Sequence, residues 1–173
     1  MSVTIRPITE CDTDNIITWR NSDDVKQYFI DRTPLTKETH LNWLHAKVQT
    51  GKVAQFIIHS IELNKDVGSV YIRDIDTQHK KGEFGIFIGV PEARNKGIGR
   101  EATKLILEYG FKVLRLNRIY LRVLSKNIVA ISSYQKSGFI QDGLFRQDVF
   151  VDGKYEDVIF MSVLYEDYIK YSL

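Results

Sequence analysis

Along this chain the spacing of apolar positions switches repeatedly between a period near two and a period near three and a half. The switches divide it into elements. Val3–Arg6 is a short strand stopped by Pro7, and Asp12–Arg20, carrying Ile16, Ile17 and Trp19, is a helix. Asp23–Phe29 adds another turn or two. Thr36 is placed to cap a second helix with Leu41, Leu44 and Val48 on its inner side and Trp43 beside them, ended by Gly51. Val53–Ser60 and Val67–Ile75 read as strands joined by a tight Asn64-Lys65-Asp66 turn, and Gly82–Val90 as a third strand. Short connections make these three an antiparallel meander.

The longest helical pattern covers Gly97–Leu116, where Ile98, Ala102, Leu105, Ile106, Tyr109 and Val113 recur at three- and four-residue steps. Arg118–Leu124 is a strand. Asn127–Ser137 is a shorter helix closed by Gly138. Phe139–Val151 and Tyr155–Leu164 are strands around Asp152-Gly153, a strong hairpin signal. The prediction is an α+β fold: one mixed, mostly antiparallel sheet of about seven strands flanked by about four helices. The strand-helix-strand unit around Gly97–Leu116 is expected to be parallel and right-handed.

Size and composition narrow this little. The 173 residues suit one domain, 1–173, with a sizeable core. No stretch approaches the ~20 apolar residues of a membrane span, and the N-terminal MSVTIRPITE lacks the apolar centre of a signal peptide. Cys11 stands alone, which excludes an internal disulfide and a cysteine-based metal cluster. A cytoplasmic protein without a resident metal is expected. The net charge of +2 decides nothing, but its distribution does. Tyr109–Gln141 holds Lys112, Arg115, Arg118, Arg122, Lys126 and Lys136 without a single acid. These cations alternate with core positions and form no dense run, which favours a small anionic ligand or a solvated face over nucleic acid.

The basic stretch directly follows Arg94-Asn95-Lys96-Gly97-Ile98-Gly99-Arg100. Two glycines in a first helical turn are costly beside alanine, so helix stability is a weak reason for them. Gly97-Ile98-Gly99-Arg100-Glu101-Ala102 fits the dinucleotide pattern G-x-G-x-x-A. That pattern needs an acid at the end of the next strand, and Arg118–Leu124 has none. A nucleoside-triphosphate loop fails for want of Gly-Lys-Ser or Gly-Lys-Thr. A pyrophosphate site of another kind remains: glycines admit the phosphates to the backbone, the first helical amides point at them, and Arg94, Lys96 and Arg100 supply charge.

Arg94-Asn95-Lys96-Gly97-Ile98-Gly99 resembles the R/Q-x-x-G-x-G/A motif of the GNAT N-acetyltransferases, which hold the pyrophosphate of acetyl-CoA there. Asn127, Ala130, Ile131 and Tyr134 form one helical stripe followed by Gly138-Phe139. That spacing is similar to the second coenzyme-A region of the same family. The resemblance covers nearly the whole chain. It implies the GNAT fold, with the fourth and fifth strands splayed apart. It implies acetyl-CoA as cosubstrate, the backbone of Phe87, Ile88, Gly89 and Val90 as the groove for the pantetheine arm, and direct transfer to a primary amine.

On this resemblance Tyr134 is the acid that protonates the leaving thiolate, although a core tyrosine has the same spacing. Glu83 is the candidate base, acting through water, or else a structural salt bridge. Asn127 is expected to bond the pantetheine or phosphate region. The acceptor pocket is expected from the first two helices, with Trp19, Arg20, Asn21, Tyr28, Phe29, His40 and Trp43, and from Phe145, Arg146 and Phe150 of the last hairpin. For the two tryptophans core packing is an equal alternative. The Trp19-Arg20-Asn21 stretch and His40-x-x-Trp43 resemble aminosugar-nucleotide acetyltransferases. Glu83–Val163 resembles spermidine and ribosomal-protein N-terminal acetyltransferases. A small polar amine is the expected acceptor. A protein N-terminus, or a noncatalytic acetyl-CoA-binding module, is the alternative. Paired C-terminal strands suit a homodimer.

Overall fold

In the computed structural model, which describes residues 2–171, the chain opens with β1 (Val3–Pro7), a short turn of helix at Glu10–Asp12, α1 (Thr13–Asn21) and α2 (Asp23–Lys26). α3 (Lys37–Trp43) follows, then the hairpin-linked strands β2 (Ala54–Ser60), β3 (Lys65–Asp76) and β4 (Lys81–Ile88). α4 (Ile98–Glu108) leads to β5 (Arg118–Leu124), α5 (Ile128–Lys136), β6 (Ile140–Val151), β7 (Lys154–Leu164) and α6 (Tyr165–Tyr171). The seven strands form one sheet in the order β1-β2-β3-β4-β5-β7-β6. Only β4 and β5 are parallel.

The expected order of elements holds, with local corrections. The turn between β2 and β3 lies at Ile61–Asn64 with Asn64 at φ 48°, and Lys65 and Asp66 already pair with Ser60 and His59. Asp23–Phe29 yields only α2. The helix read over Gly97–Leu116 is α4 plus one wide turn, Tyr109–Val113, closed by Leu114 N–H to the Tyr109 carbonyl at 3.1 Å. α3 ends in a similar wide turn, Leu44–Val48. The sequence reading does not include α6: its Tyr165 and Tyr168 rings tilt against Phe111, a contact that a short polar-looking segment does not advertise. Thr36 caps α3 as read, its hydroxyl accepting from Thr39 N–H at 3.2 Å. Asp152 and Gly153, both at positive φ, close the last hairpin.

Side chains alternate across the strands, so the sheet has two faces. On one, Val70, Ile72, Phe84, Ile119 and Leu121 meet α4 through Ile98, Ala102 and Ile106, and meet Ile131 of α5. On the other, Ile57 and Phe87 meet Ile16 and Trp19 of α1, Val25 of α2 and Leu44. The first is a continuous apolar core. The second is smaller and shares its face with polar residues.

The feature that positions the site is the parallel pair. Lys81, Gly82 and Glu83 pair with Arg118, Ile119 and Tyr120, and there the pairing stops. Beyond Glu83 the strands diverge, and Phe84–Ile88 pairs only with β3.

Candidate active site

The divergence of β4 from β5 opens a cavity of about 1350 Å³ between the two helical layers. At one end lies the start of α4. Gly97 caps it at φ 80°, in the left-handed region that suits glycine, and no side chain caps the helix. The amides of Ile98, Gly99 and Arg100 therefore precede the first intrahelical bond, Glu101 N–H to the Gly97 carbonyl at 3.1 Å. Among the described residues nothing lies within 4 Å of where a Gly99 Cβ would stand. Open space over unpaired amides at a positive helix end is what a pyrophosphate requires.

Asn95, Gly97, Ile98, Gly99 and Arg100 line the cavity, as does Arg94. Their charges are committed differently. Arg94 donates to the Ile88 carbonyl at 3.2 Å and pairs with Asp24 at 3.0 Å, so it locks the end of β4. Lys96 pairs with Glu62 at 3.1 Å and is outside the cavity lining. Arg100 has no carboxylate within ion-pair distance among the described residues. Phe87 and Ile88 line the cavity and Gly89 and Val90 do not. The backbone of Gly89 and Val90 instead donates to the Val67 carbonyl, at 2.8 and 3.2 Å.

Tyr134 reaches the cavity from α5. Its ring packs edge-on against Phe84 at 5.8 Å and tilts against Phe139 at 5.9 Å. Enclosure pushes its phenol well above the ordinary value, and nearby Tyr71 adds to this. Asn127 caps α5: its Oδ1 accepts from Ala130 N–H at 3.2 Å, which leaves its amide group for the cavity it lines. Glu83 is buried. Its carboxylate accepts from Arg73 at 2.8 Å and from Arg122 at 3.2 and 3.4 Å. Glu83 is thus an ion-paired carboxylate on the cavity wall, as the salt-bridge reading expects.

The acceptor end is lined by Arg20, Tyr28, Phe29, His40 and Trp43. Trp19 and Asn21 do not line it. Trp19 packs under Gly89, where an added Cβ would fall 2.0 Å from its Cγ. Asn21 clips the following loop, exchanging two 2.8 Å bonds with the Leu35 backbone. Phe145, Arg146 and Phe150 also lie outside the lining, exposed on β6. His40 is buried. Its Nδ1 meets the Thr13 hydroxyl at 3.1 Å, its Nε2 has no partner among the described residues, and burial lowers its pKa, which favours the neutral ring. Trp43 Nε1–H donates to Gln55 at 3.1 Å.

Sequence reading missed Tyr71, Arg73 and Arg122, all in the cavity wall. A signal existed. Tyr71-Ile72-Arg73 on β3 and Tyr120-Leu121-Arg122 on β5 repeat one polar-apolar-polar pattern on the strands flanking Glu83. Gly85 stands opposite Tyr71, and its missing Cβ leaves room for the Tyr71 ring, which would lie 2.3 Å away.

The sequence profile of the acetyltransferase (GNAT) domain family matches residues 2–140. The spermidine N(1)-acetyltransferase of Vibrio cholerae is 29% identical over 171 residues, 98% of this chain and 97% of the relative. That of Escherichia coli K12 is 31% identical over 157 residues, 90% and 82%. The solved structure of the Vibrio cholerae spermidine N-acetyltransferase in complex with CoA and spermine superposes with a TM-score of 0.90. It is 26% identical and the match covers 97% and 98% of the two chains. A dodecameric structure of spermidine N-acetyltransferase from Vibrio cholerae has a TM-score of 0.83 at 26% identity, covering 99% of each chain.

Proposed function

The chain belongs to the GNAT acetyltransferase family and is an acetyl-CoA-dependent N-acetyltransferase, and we propose that it acetylates the primary amine of a small polar molecule with Tyr134 as general acid. The observation that carries this reading is the divergence of β4 from β5 beyond Glu83, which brings Tyr134, the unpaired edge of β4 and the α4 amides to one cavity.

Acetyl-CoA fits the residues present. The Ile98, Gly99 and Arg100 amides and the Arg100 guanidinium would hold the pyrophosphate, and the β4 edge from Phe84 to Ile88 would hold the pantetheine arm. The thioester then lies beside Tyr134. A backbone N–H of the β4 edge is the donor for the oxyanion that develops as the amine attacks. When the carbon–sulfur bond breaks, the Tyr134 hydroxyl gives its proton to the departing thiolate. A phenol is a sufficient acid there because a thiolate leaves far more readily than an alkoxide. Arg73 and Arg122 occupy part of the Glu83 carboxylate, and Oε2 keeps lone pairs free. Glu83 accepts a proton from the amine through water.

The relatives are spermidine acetyltransferases, and the Trp19–Asn21 and His40–Trp43 stretches resemble enzymes of aminosugar nucleotides. Both acceptors are small polar primary amines. Release of free thiol from acetyl-CoA, measured against polyamines, amino sugars and their nucleotides, and peptides starting with Ser, Ala or Thr, tests the proposal. Turnover of a small amine is expected. Turnover of peptides alone, or tight acetyl-CoA binding with no thiol release for any amine, refutes it.

The chain also associates with copies of itself on this reading. Ile140, Leu144, Phe145 and Phe150 are exposed on β6, one of the two edge strands of the sheet, and a dodecamer is known for the Vibrio cholerae relative. Among the described residues no helix is long and apolar enough to cross a membrane.

A further inference from the structure

Charge around the acceptor end of the cavity is not balanced toward a cationic ligand. Arg20, Arg73, Arg94 and Arg122 face Asp24, Asp31 and Glu83 there. The carboxylates are largely committed. Asp24 pairs with Arg94, and Glu83 is clamped between Arg73 and Arg122. Asp31 accepts from Thr33 N–H at 2.9 Å. Arg20 is the exception among the arginines. Its guanidinium stacks 3.5 Å above the centre of the Phe29 ring. Its one hydrogen bond is a long contact of 3.4 Å to the Asp31 carbonyl, and no carboxylate lies within ion-pair distance among the described residues. Burial disfavours the Arg20 charge, Tyr71 and Asp31 favour it, and Arg73 disfavours it; among the described residues the Arg73 Nε is buried without a hydrogen-bond partner. Two guanidiniums thus line the one cavity on rigid supports, a strand and an aromatic ring: Arg20 has no carboxylate partner among the described residues, and Arg73 pairs with Glu83 at 2.8 Å and with Asp74 at 3.8 Å.

Resting on the acetyltransferase reading above, we infer that the acceptor amine carries an anionic group, a phosphate or a carboxylate, which sits between Arg20 and Arg73. A planar guanidinium presents parallel N–H donors that match such oxygens, and the Tyr71 hydroxyl on the same wall is a further donor. A polyamine fits poorly. Each of its ammoniums needs a carboxylate, and of the three at this end Asp24 and Glu83 already pair with arginines, which leaves Asp31. The inference separates this chain from the spermidine acetyltransferases it is similar to, at the level of substrate charge.

Binding to the CoA-saturated protein tests it, because the cofactor's own phosphate site is then filled and no turnover is needed. Calorimetric titration compares two matched pairs, glucosamine 6-phosphate against glucosamine and γ-aminobutyrate against n-butylamine, with spermidine alongside. The anionic member of a pair should bind roughly 10- to 100-fold more tightly, the span of one charge-assisted contact. A preference in the first pair identifies a phosphate, and in the second a carboxylate. Arg20→Gln and Arg73→Gln should each reduce the preference to a few-fold, while Arg20→Lys retains part of it, with melting temperatures confirming that the variants fold. Equal binding within both pairs overturns the inference. So does spermidine binding more tightly than either anionic amine, or a preference that survives both glutamine variants. Failure of thiol release would instead count against the acetyltransferase mechanism and leave these binding ratios standing.

Discussion

The two faces of the sheet meet the cavity with different materials. On the α4–α5 side the contact surface is largely backbone: the first amides of α4, the unpaired edge of β4, and open space over Gly99. On the α1–α3 side it is side chains: Arg20, Tyr71, Arg73, Glu83 and Arg122. Backbone amides accept a phosphate whatever residues carry them, provided no Cβ intrudes. Side chains discriminate by charge and shape. On the proposed function, the half built of backbone would serve any acetyl-CoA enzyme, and the half built of side chains is where one enzyme would depart from another. The cores differ in the same sense. The α4 side is mostly apolar, its buried Thr103 bonded to the Gly99 carbonyl, whereas the α1–α3 side buries His40, Gln55, Ser69 and Glu83, each of which needs a partner.

The largest effect expected at this divide is that of Tyr134→Phe. The ring keeps its packing on Phe84 and Phe139, and the lost hydroxyl has no hydrogen-bond partner among the described residues. Turnover should fall by about 10²- to 10⁴-fold, while acetyl-CoA affinity and melting temperature stay close to wild type. Near-normal kcat would remove Tyr134 from the mechanism.

Gly99→Asp comes next and isolates the backbone half. The new carboxylate enters open space in a first helical turn, where an acid is welcome, so the ligand-free protein should be no less stable. Against a pyrophosphate the same charge should weaken acetyl-CoA binding by roughly 10²- to 10³-fold. A calorimetric titration showing undiminished affinity would locate the phosphates elsewhere.

Gly89→Ala probes the join between the halves. Its Cβ would fall 2.0 Å from Trp19 Cγ, so β4 and α1 must separate. A loss of about 1–3 kcal/mol in urea unfolding is expected. A neutral result would show that the α1 layer is loosely seated.

The smallest effect belongs to His40. Burial holds its folded-state pKa below the ordinary 6.5, so the unfolded chain takes up the proton first as pH falls. Stability is full above 6.5 and declines below it, toward the folded-state value. Asp12, whose own pKa is lowered from 3.8 through its bonds with Arg6 and Thr9, contributes only at more acid pH. Unfolding free energies between pH 7.5 and 5 should therefore slope downward in wild type and flatten in His40→Gln. Equal slopes would mean that the His40 ring is already solvated.

Much of this molecule is legible in its sequence where the physics is local. The strand of Arg118–Leu124, the Thr36 cap, the Asp152-Gly153 turn and the Gly97–Gly99 helix start each depend on a few neighbouring residues. The cofactor half inherits that legibility, since a helix N-terminus is a local object. The acceptor half is not local. Trp19 and Asn21 sit beside Arg20 in sequence, but successive helical residues point in different directions. Trp19 therefore went under Gly89, Asn21 went to Leu35, and Arg20 alone came to the cavity. Glu83 is an acid anywhere in a strand until β3 and β5 bring Arg73 and Arg122 to it from 10 and 39 residues away. The sequence by itself determined most of the elements, their order and the glycine-started helix that we propose as the pyrophosphate site. Tertiary structure decided which side chains share the cavity and with what net charge, because that depends on strand register and on the divergence of β4 from β5, which no single segment encodes.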